Sequence, residues 1–256
     1  MISYFCTQFY NLLMKTEKQD WFKDWFDTKY YHILYQDRND DEAKLFMRHL
    51  VSFLDLKKNS KIFDLPCGKG RHSVFLNTLG YDVTGADLSD NSIAYAKQFE
   101  NENLHFKVQD MRVPFDIKFD AIFNLFTSFG YFDDKETNIK VLQNLKNGLK
   151  KNGVLVIDFM NVNYVKKSII NYEVITKGNI DFIINRSINS NFITKDIRFS
   201  ADGKMHHYTE KVKFLPLDVL KKYFKKAGLN LKHTFGSYDL TPFLSSESNR
   251  LILILE

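Results

Sequence analysis

Strand-like and helix-like segments alternate along the middle of the chain, and this alternation is the feature that most constrains its fold. The strand-like runs are residues 61–65, 82–86, 104–108, 119–125 and 154–160. The helical patterns that separate most of them are residues 71–79, 90–100 and 134–151. Strand, helix and strand at this spacing indicate βαβ units and a parallel sheet.

The pattern changes after residue 163, where polar and apolar residues alternate with period two. The segments concerned are residues 172–177, 180–188, 191–199 and 206–214. Such alternation, broken by turn residues, is typical of antiparallel strands. Residues 216–227 return to a helical pattern, and residues 229–236 and 250–255 are predicted as the last two strands. We expect an α/β fold with a β-rich insertion.

Composition sets broad limits on the class of protein. The chain has 256 residues, 44% of them hydrophobic, and a net charge of +5 that is spread over many lysines. A large core is expected, whereas a nucleic-acid surface is allowed but not indicated. No apolar run approaches the roughly 20 residues that span a membrane. Two cysteines, Cys6 and Cys67, do not make a disulfide framework, so a cytoplasmic location is expected.

A glycine turn follows the first strand-like run, where an open parallel sheet binds its ligands. A Walker loop is absent, and a dinucleotide loop would need a third glycine where Ser73 stands. The third candidate is the acid-x-G-x-G-x-G loop of class I S-adenosylmethionine-dependent methyltransferases. Asp64, Gly68 and Gly70 match it, and Pro66 takes the place of the first glycine.

Acidic residues also follow the next two strand-like runs. Asp87 ends the run at 82–86, where a carboxylate can accept hydrogen bonds from both hydroxyls of a ribose. Nicotinamide enzymes use an acid at a similar place, so Asp87 indicates a nucleoside without saying which one. Asp110 and Met111 follow the third run.

Residues 20–163 resemble class I methyltransferases of the bacterial and archaeal small-molecule type. The motifs that carry the resemblance are "DLPCGKGRHS", "GADLS", "QDMR", "NLFTSFGYF" and "KNGVLVIDFMN". The stretch "YQDRNDDEAKLF" is similar to the N-terminal cap of glycine N-methyltransferase. The resemblance implies S-adenosylmethionine as cofactor and S-adenosylhomocysteine as product. It also implies that Asp110 takes the adenine amino group, Met111 packs on the ring and Arg38 binds the methionyl carboxylate.

The resemblance extends these expectations to fold, organisation and site. It implies a Rossmann-like, mostly parallel sheet of seven strands, with helices on both faces and the antiparallel insertion covering the site. The expected divisions are an aromatic helical cap, a cofactor-binding core, a substrate-side insertion and a closing helix with strands, at residues 1–56, 57–163, 164–214 and 215–256. The candidate cofactor-binding residues are Tyr31, Tyr35, Arg38, Asp64, Cys67, Gly68, Gly70, His72, Asp87, Leu88, Asp110, Met111, Asn124 and Phe126.

Candidate catalytic residues lie in the predicted insertion, where His206 or His207 could act as a general base. An adjacent histidine pair on a strand is more often one solvated and one packed residue. Asp133 and Asp134 could suggest a metal, but capping of the helix that follows explains them better, and no metal is predicted. Asp158 ends the fifth strand and could bind a polar acceptor or support a turn.

The favoured function is methyl transfer from S-adenosylmethionine to a nitrogen or oxygen of a small molecule, by in-line displacement. An RNA or protein methyltransferase is the main alternative, because of the positive charge, and a nicotinamide-dependent oxidoreductase is a further one. The expected partner is a small-molecule acceptor, without a membrane or nucleic acid, and a homodimer stays open.

Overall fold

A computed structural model describes residues 20–37 and 40–256 of the chain. Its helices are α1 (Trp21–Phe26), α2 (Lys29–Leu34), α3 (Asp40–Phe53), α4 (Arg71–Thr78), α5 (Asp90–Ala96), α6 (Lys135–Asn147), α7 (Val162–Ser168) and α8 (Leu217–Ala227). Its strands are β1 (Lys61–Asp64), β2 (Asp82–Asp87), β3 (Leu104–Val108), β4 (Phe119–Asn124), β5 (Leu149–Met160), β6 (Tyr172–Lys177), β7 (Ile180–Ile188), β8 (Phe192–Ala201), β9 (Lys204–Lys213), β10 (Leu231–Phe235) and β11 (Arg250–Leu255).

Seven strands form the central sheet, in the order β10-β11-β5-β4-β1-β2-β3. The strands from β1 to β5 are parallel to one another, whereas β11 is antiparallel to both β5 and β10. The sheet therefore has its switch of strand order at β1, which lies between β2 and β4. The carboxyl ends of these strands open the crevice in which ligands of such sheets bind.

Both faces of the central sheet are covered by helices, because alternate residues of each strand point to opposite sides. On β1, Ile62 joins a core with α3, α4 and α5, and Phe63 joins a core with α6 and α8. Both side chains are completely buried. The predicted α/β architecture with a mostly parallel, seven-stranded sheet is confirmed.

Strands β6 to β9 form a second, four-stranded sheet in which every neighbouring pair is antiparallel. Its inner face packs against the first two helices, where Trp25 and Leu34 share a core with Phe182 and Ile197. This confirms the antiparallel insertion.

Two predicted boundaries at α6 are wrong. The helix is capped by Asp134, whose side chain accepts the N–H of Thr137 at 2.6 Å, whereas Asp133 pairs with Lys211 at 2.8 Å. The helix ends at Asn147 and strand β5 already begins at Leu149. Across the described ranges, we find no helix with the length and apolar character needed to cross a membrane.

Candidate active site

A cleft of about 510 Å³ opens at the carboxyl ends of β1, β2 and β3. Helices α1 and α2 and strand β9 contribute to its walls. The cleft thus lies between the central sheet, which supplies the glycine turn and the acids, and the second sheet. The candidate cofactor residues that line it are Tyr31, Tyr35, Cys67, Gly68, His72, Asp87, Leu88, Asp110, Met111 and Phe126.

The two glycines of the turn have different structural roles. Gly68 lines the cleft with a φ of +54°, and a Cβ added there would meet no atom within 4 Å. Its backbone is therefore open to close approach by a ligand. Gly70 has a φ of +84°, and an added Cβ would lie 2.7 Å from the ring of Phe106. Gly70 lets α4 begin tightly against β3, and it does not line the cleft of the described structure.

Asp64 lies beneath the turn and is completely buried. Its Oδ2 accepts a hydrogen bond from Ser73 Oγ at 2.7 Å, and its Oδ1 has no hydrogen-bond partner among the described residues. Burial raises the pKa of this carboxyl from 3.8 to about 7, against the lowering effect of the Ser73 hydroxyl. The buried Oδ1 of Asp64, directly below the turn, is thus without a hydrogen-bond partner among the described residues.

We expect Asp64 to make the folded state less stable as the pH rises from about 4 to 7. Over this range the folded protein holds a proton that the unfolded chain has released, since the folded pKa is about 7 and the ordinary value is 3.8. The free energy of unfolding should fall by an amount on the order of 4 kcal/mol. Urea unfolding of Asp64→Asn across this range should show a flatter dependence than the native chain.

A control for the Asp64 prediction is Ser73→Ala, which removes the hydroxyl that favours the charged carboxylate. The pH-dependent loss of stability should then extend to higher pH. Parallel stability curves for the native chain and Asp64→Asn would contradict the prediction.

Asp87 ends β2 with its carboxylate between two backbone amides at the edge of the cleft. Its Oδ2 accepts the N–H of Gly68 at 2.8 Å and its Oδ1 accepts the N–H of Ser89 at 2.9 Å. Burial raises the pKa of Asp87, and these amides act in the opposite direction. Each carboxylate oxygen has further lone pairs, so Asp87 can hold the turn and still accept ligand hydroxyls.

Asp110 is held by Arg112, which the sequence analysis did not single out. Arg112 Nη2 donates to Asp110 Oδ2 at 2.6 Å and to Asp20 Oδ2 at 2.7 Å. Burial alone would raise the pKa of Asp110, but the hydrogen bonds and charge of Arg112 lower it overall. Arg112 also lies over the ring of Phe22, 5.9 Å from its centroid. It therefore ties the beginning of α1 to the end of β3.

The loop after β4 contains two consecutive residues in the left-handed region, Phe126 and Thr127, each with a φ of 61°. Such a conformation costs a residue with a side chain about 1–2 kcal/mol. Asp158 on β5 offsets this cost, since its Oδ2 accepts the N–H of Phe126 at 3.0 Å and its carbonyl that of Thr127 at 2.9 Å. Arg250 on β11 then binds both Asp158, at 2.7 Å, and Thr127 Oγ1, at 3.1 Å.

This network changes the interpretation of Asp158. The side chain is completely buried and paired with Arg250, and it is not among the residues that line the cleft of the described structure. Asp158 therefore supports a turn, the second of the roles expected for it, and does not bind an acceptor directly.

Glu210 on β9 is a cleft residue that the sequence analysis missed. Its Oε1 accepts hydrogen bonds from Trp25 Nε1 at 2.7 Å and from Tyr35 Oη at 2.6 Å. Its Oε2 lies 3.8 Å from Nζ of Lys195, which stands opposite it on β8. The sequence did contain a sign of this position. Side chains alternate between the two faces of a strand, so Glu210 lies on the same face of β9 as His206, Tyr208 and Val212.

Helices α1 and α2 cross the cleft as a strap that is bonded to both of its sides. On one side, Asp27 accepts Nδ2 of Asn91 at 2.8 Å, at the beginning of α5. On the other, Trp25 and Tyr35 bind Glu210. The strap therefore connects the ends of β2 and β3 with the second sheet.

The remaining candidate residues lie elsewhere. Asn124 is buried and donates to the carbonyl of Leu65 at 2.8 Å, which joins β4 to the end of β1. His206 stacks on Phe199 with ring centroids 4.9 Å apart. His207 pairs with Asp196. None of the three is among the described residues that line the cleft. Arg38 lies outside the described residues.

The two histidines fall outside the cleft for reasons of strand geometry. His206 shares the inner face of β9 with Glu210, but it stands four residues earlier and is held by aromatic stacking. His207 is on the opposite face, where its side chain is 54% exposed. We therefore correct the assignment by leaving both out of the candidate active site.

Comparison with known proteins shows which family the chain belongs to. A family model described as "Tellurite resistance protein TehB" matches residues 35–179, more than half of the chain. The chain belongs to the TehB family. The match begins in the strap and includes the glycine turn, both cleft acids and the loop after β4.

Similar proteins extend the comparison. The putative methyltransferase YqeM of Bacillus subtilis is 35% identical over 107 residues, which are 40% of this chain and 43% of YqeM. Glycine N-methyltransferase of Rattus norvegicus is 29% identical over 122 residues, 41% of this chain and 42% of that enzyme. The chain thus spans less than half the length of these curated relatives.

Solved structures match over almost the whole chain. A crystal structure of an S-adenosylmethionine-dependent methyltransferase from Clostridium acetobutylicum has a TM-score of 0.75 and 19% identity, and the match covers 89% of this chain and 95% of that one. The predicted resemblance to S-adenosylmethionine-dependent methyltransferases is therefore confirmed in family and in fold. The roles of individual site residues stay predictions.

Proposed function

We propose that the chain is an S-adenosylmethionine-dependent methyltransferase that acts on a nitrogen or oxygen of a small molecule. The observation that carries the proposal is the meeting of Gly68, Asp87 and Asp110 in one cleft, at the switch point of the sheet. Family membership and the relatives named as methyltransferases support the same reaction class. A cytoplasmic location remains an expectation.

The residues of the cleft fit this cofactor. The open backbone at Gly68 would let a ligand lie against the turn, and Asp87 would accept the ribose hydroxyls. Asp110 would bind the adenine amino group, between the apolar side chains of Leu88 and Met111. Asp64 supplies a buried acceptor beneath the turn that lacks a described partner.

When bound, S-adenosylmethionine supplies a methyl group on a positively charged sulfur, which a nucleophile displaces in line. The contribution of the protein is then mostly alignment, which can lower a barrier by roughly 7–11 kcal/mol at its best. The strap and the loop at Phe126 and Thr127 serve this purpose by closing the two sides of the cleft. The rings of Tyr31 and Tyr131 exclude water and can stabilise positive charge.

The size of the cleft favours a small acceptor over RNA or protein. Its volume of about 510 Å³ is that of a small-molecule site, and it must hold a nucleoside as well as the acceptor. The strap crosses this space and is hydrogen-bonded on both sides. An RNA or protein substrate would reach the cleft only if the strap moved, whereas a small molecule fits within the cleft as it stands.

Thermal melting and label transfer test the proposed function. S-adenosylhomocysteine at about 100 times its Kd should stabilise the chain by about 2.7 kcal/mol, whereas NADH should have no effect. Labelled methyl groups should then pass from S-adenosylmethionine to members of a small-molecule panel of amines, alcohols and phenols. Stabilisation by NADH without any by S-adenosylhomocysteine would overturn the proposal in favour of an oxidoreductase.

A further inference from the structure

Glu210 is a carboxylate held in position inside the cleft, although the cofactor residues lie on other elements. Its side chain is 18% exposed and receives two hydrogen bonds on Oε1, from Trp25 and Tyr35. Its Oε2 accepts no hydrogen bond from the described residues, and Lys195 Nζ stands 3.8 Å away. Lys195 instead donates to Tyr35 Oη. One oxygen is therefore fixed by hydrogen bonds, and the other is in an ion pair with Lys195 at a distance longer than a hydrogen bond, so it can also accept one from a ligand.

The rings around Glu210 suit a cation. Tyr131, Phe26, Tyr31 and Tyr35 all line the cleft. Successive centroids in this order are 5.6, 4.8 and 5.0 Å apart, so the rings form a continuous wall that leads to the carboxylate. At that end Lys195 Nζ lies over the Tyr35 ring, 4.6 Å from its centroid, so the wall already accommodates one ammonium group there. Aromatic faces attract ammonium groups, and a carboxylate at the end of the wall adds a charged acceptor.

We infer that the acceptor is an amine and that Glu210 binds its amino group. This inference rests on the proposed function and adds to it the class of substrate. An amine that enters as its ammonium ion first loses a proton to water, and the neutral nitrogen then forms a bond to the methyl carbon while the carbon–sulfur bond breaks and its electron pair stays on sulfur. The positive charge thus moves from sulfur to nitrogen, and the product is an N-methylammonium ion that later loses a proton to water.

The direction of this charge movement explains why a carboxylate belongs in the site. A neutral amine becomes positively charged during transfer, so Glu210 interacts more strongly with the transition state than with the free amine. A hydroxyl acceptor must pass its proton to a base as it reacts, so Glu210 could assist it only as that base, whereas the charge that develops on an amine nitrogen interacts directly with the carboxylate. The aromatic wall and the carboxylate together favour nitrogen over oxygen.

Glu210→Gln is the informative variant, because the amide oxygen can still accept from Trp25 and Tyr35 while the charge is lost. In labelled transfer to matched pairs, such as glucosamine with glucose and ethanolamine with ethylene glycol, we expect methylation of the amines. The value of kcat/KM for the amines should fall about 10²–10³-fold in Glu210→Gln. The affinity for S-adenosylhomocysteine should stay within about twofold.

A binding experiment tests the same inference without turnover. Choline and its neutral isostere 3,3-dimethylbutan-1-ol are titrated into the protein with and without S-adenosylhomocysteine. Choline should bind about tenfold or more tightly than the isostere to the native chain, and this preference should be lost in Glu210→Gln. Asp181→Asn is the matched control, since it removes an exposed carboxylate of the same sheet and should keep the preference.

The outcomes separate the two proposals. If S-adenosylhomocysteine fails to bind the native chain, the proposed function falls. If it binds, but choline and the isostere bind equally, or Glu210→Gln keeps the preference for choline, the amine acceptor falls and the methyltransferase stands. Efficient methylation of the alcohols with none of the amines would have the same consequence.

Discussion

Asp87→Ala should weaken the binding of S-adenosylhomocysteine by at least about thirtyfold. Each hydrogen bond from a ribose hydroxyl to the carboxylate is worth about 1.5–3 kcal/mol, and 1.4 kcal/mol corresponds to a factor of ten. The structure adds a second reason, because Asp87 also accepts the N–H of Gly68 at 2.8 Å. Its removal therefore loosens the turn as well as the ribose site. Titration calorimetry measures the change directly.

A matched control for Asp87 is available on the same strand. Asp82 begins β2, at the end remote from the cleft, where it pairs with Lys61 at 3.7 Å. Asp82→Ala removes the same charge and should leave the affinity for S-adenosylhomocysteine unchanged. An unchanged affinity in Asp87→Ala, or an equal loss in both variants, would contradict the role of Asp87.

The fold could be predicted well from the sequence because its signals are local. Strands β6 and β7 have the predicted bounds, residues 172–177 and 180–188. Period-two alternation fixes each strand, and Gly178, with a φ of 56°, fixes the turn between them. At α6 the sequence pattern places the cap at Asp133, one residue before Asp134, which caps the helix in the structure. Such errors of one residue are typical of helix ends.

Residues of the candidate site could be predicted from the sequence where a motif assigns a particular residue to the end of a particular strand. Gly68, Asp87 and Asp110 all line the cleft, as expected from their positions after successive parallel strands. Gly70 was assigned to the ligand by the same motif, yet its backbone is required by contact with Phe106. A motif identifies the residue type but does not tell a ligand contact from a packing contact.

Contacts between distant segments could not be predicted from one sequence. Glu210 lies 185 positions from Trp25, its hydrogen-bond partner, and Arg250 lies 92 positions from Asp158. Nothing local marks either pair, because both depend on how two sheets and the strap pack together. His206 and Glu210 stand on one face of β9, but of these two described residues Glu210 lines the cleft and His206 stacks on Phe199.

The ion pair of Asp158 and Arg250 leads to a large expected effect of a single substitution on stability. Arg250→Met would leave the carboxylate of Asp158, which is 0% exposed, without its cation. Removing one partner of a buried pair typically costs 3–5 kcal/mol, so the free energy of unfolding should fall by about that amount. For a chain of this size the Tm should fall by roughly 6–20 °C. Urea unfolding and thermal melting measure both quantities.

The double variant Asp158→Asn with Arg250→Met distinguishes a lost pair from a general disruption of the core. An asparagine can still accept the N–H of Phe126, and no buried charge is left. The double variant should therefore be more stable than Arg250→Met alone, and the two changes should not be additive. A double variant as unstable as the sum of the single variants would show that the two residues act independently. Because Asp158 also holds Phe126 and Thr127 in the left-handed region, Arg250→Met should in addition weaken S-adenosylhomocysteine binding, through the position of the loop that lines the cleft.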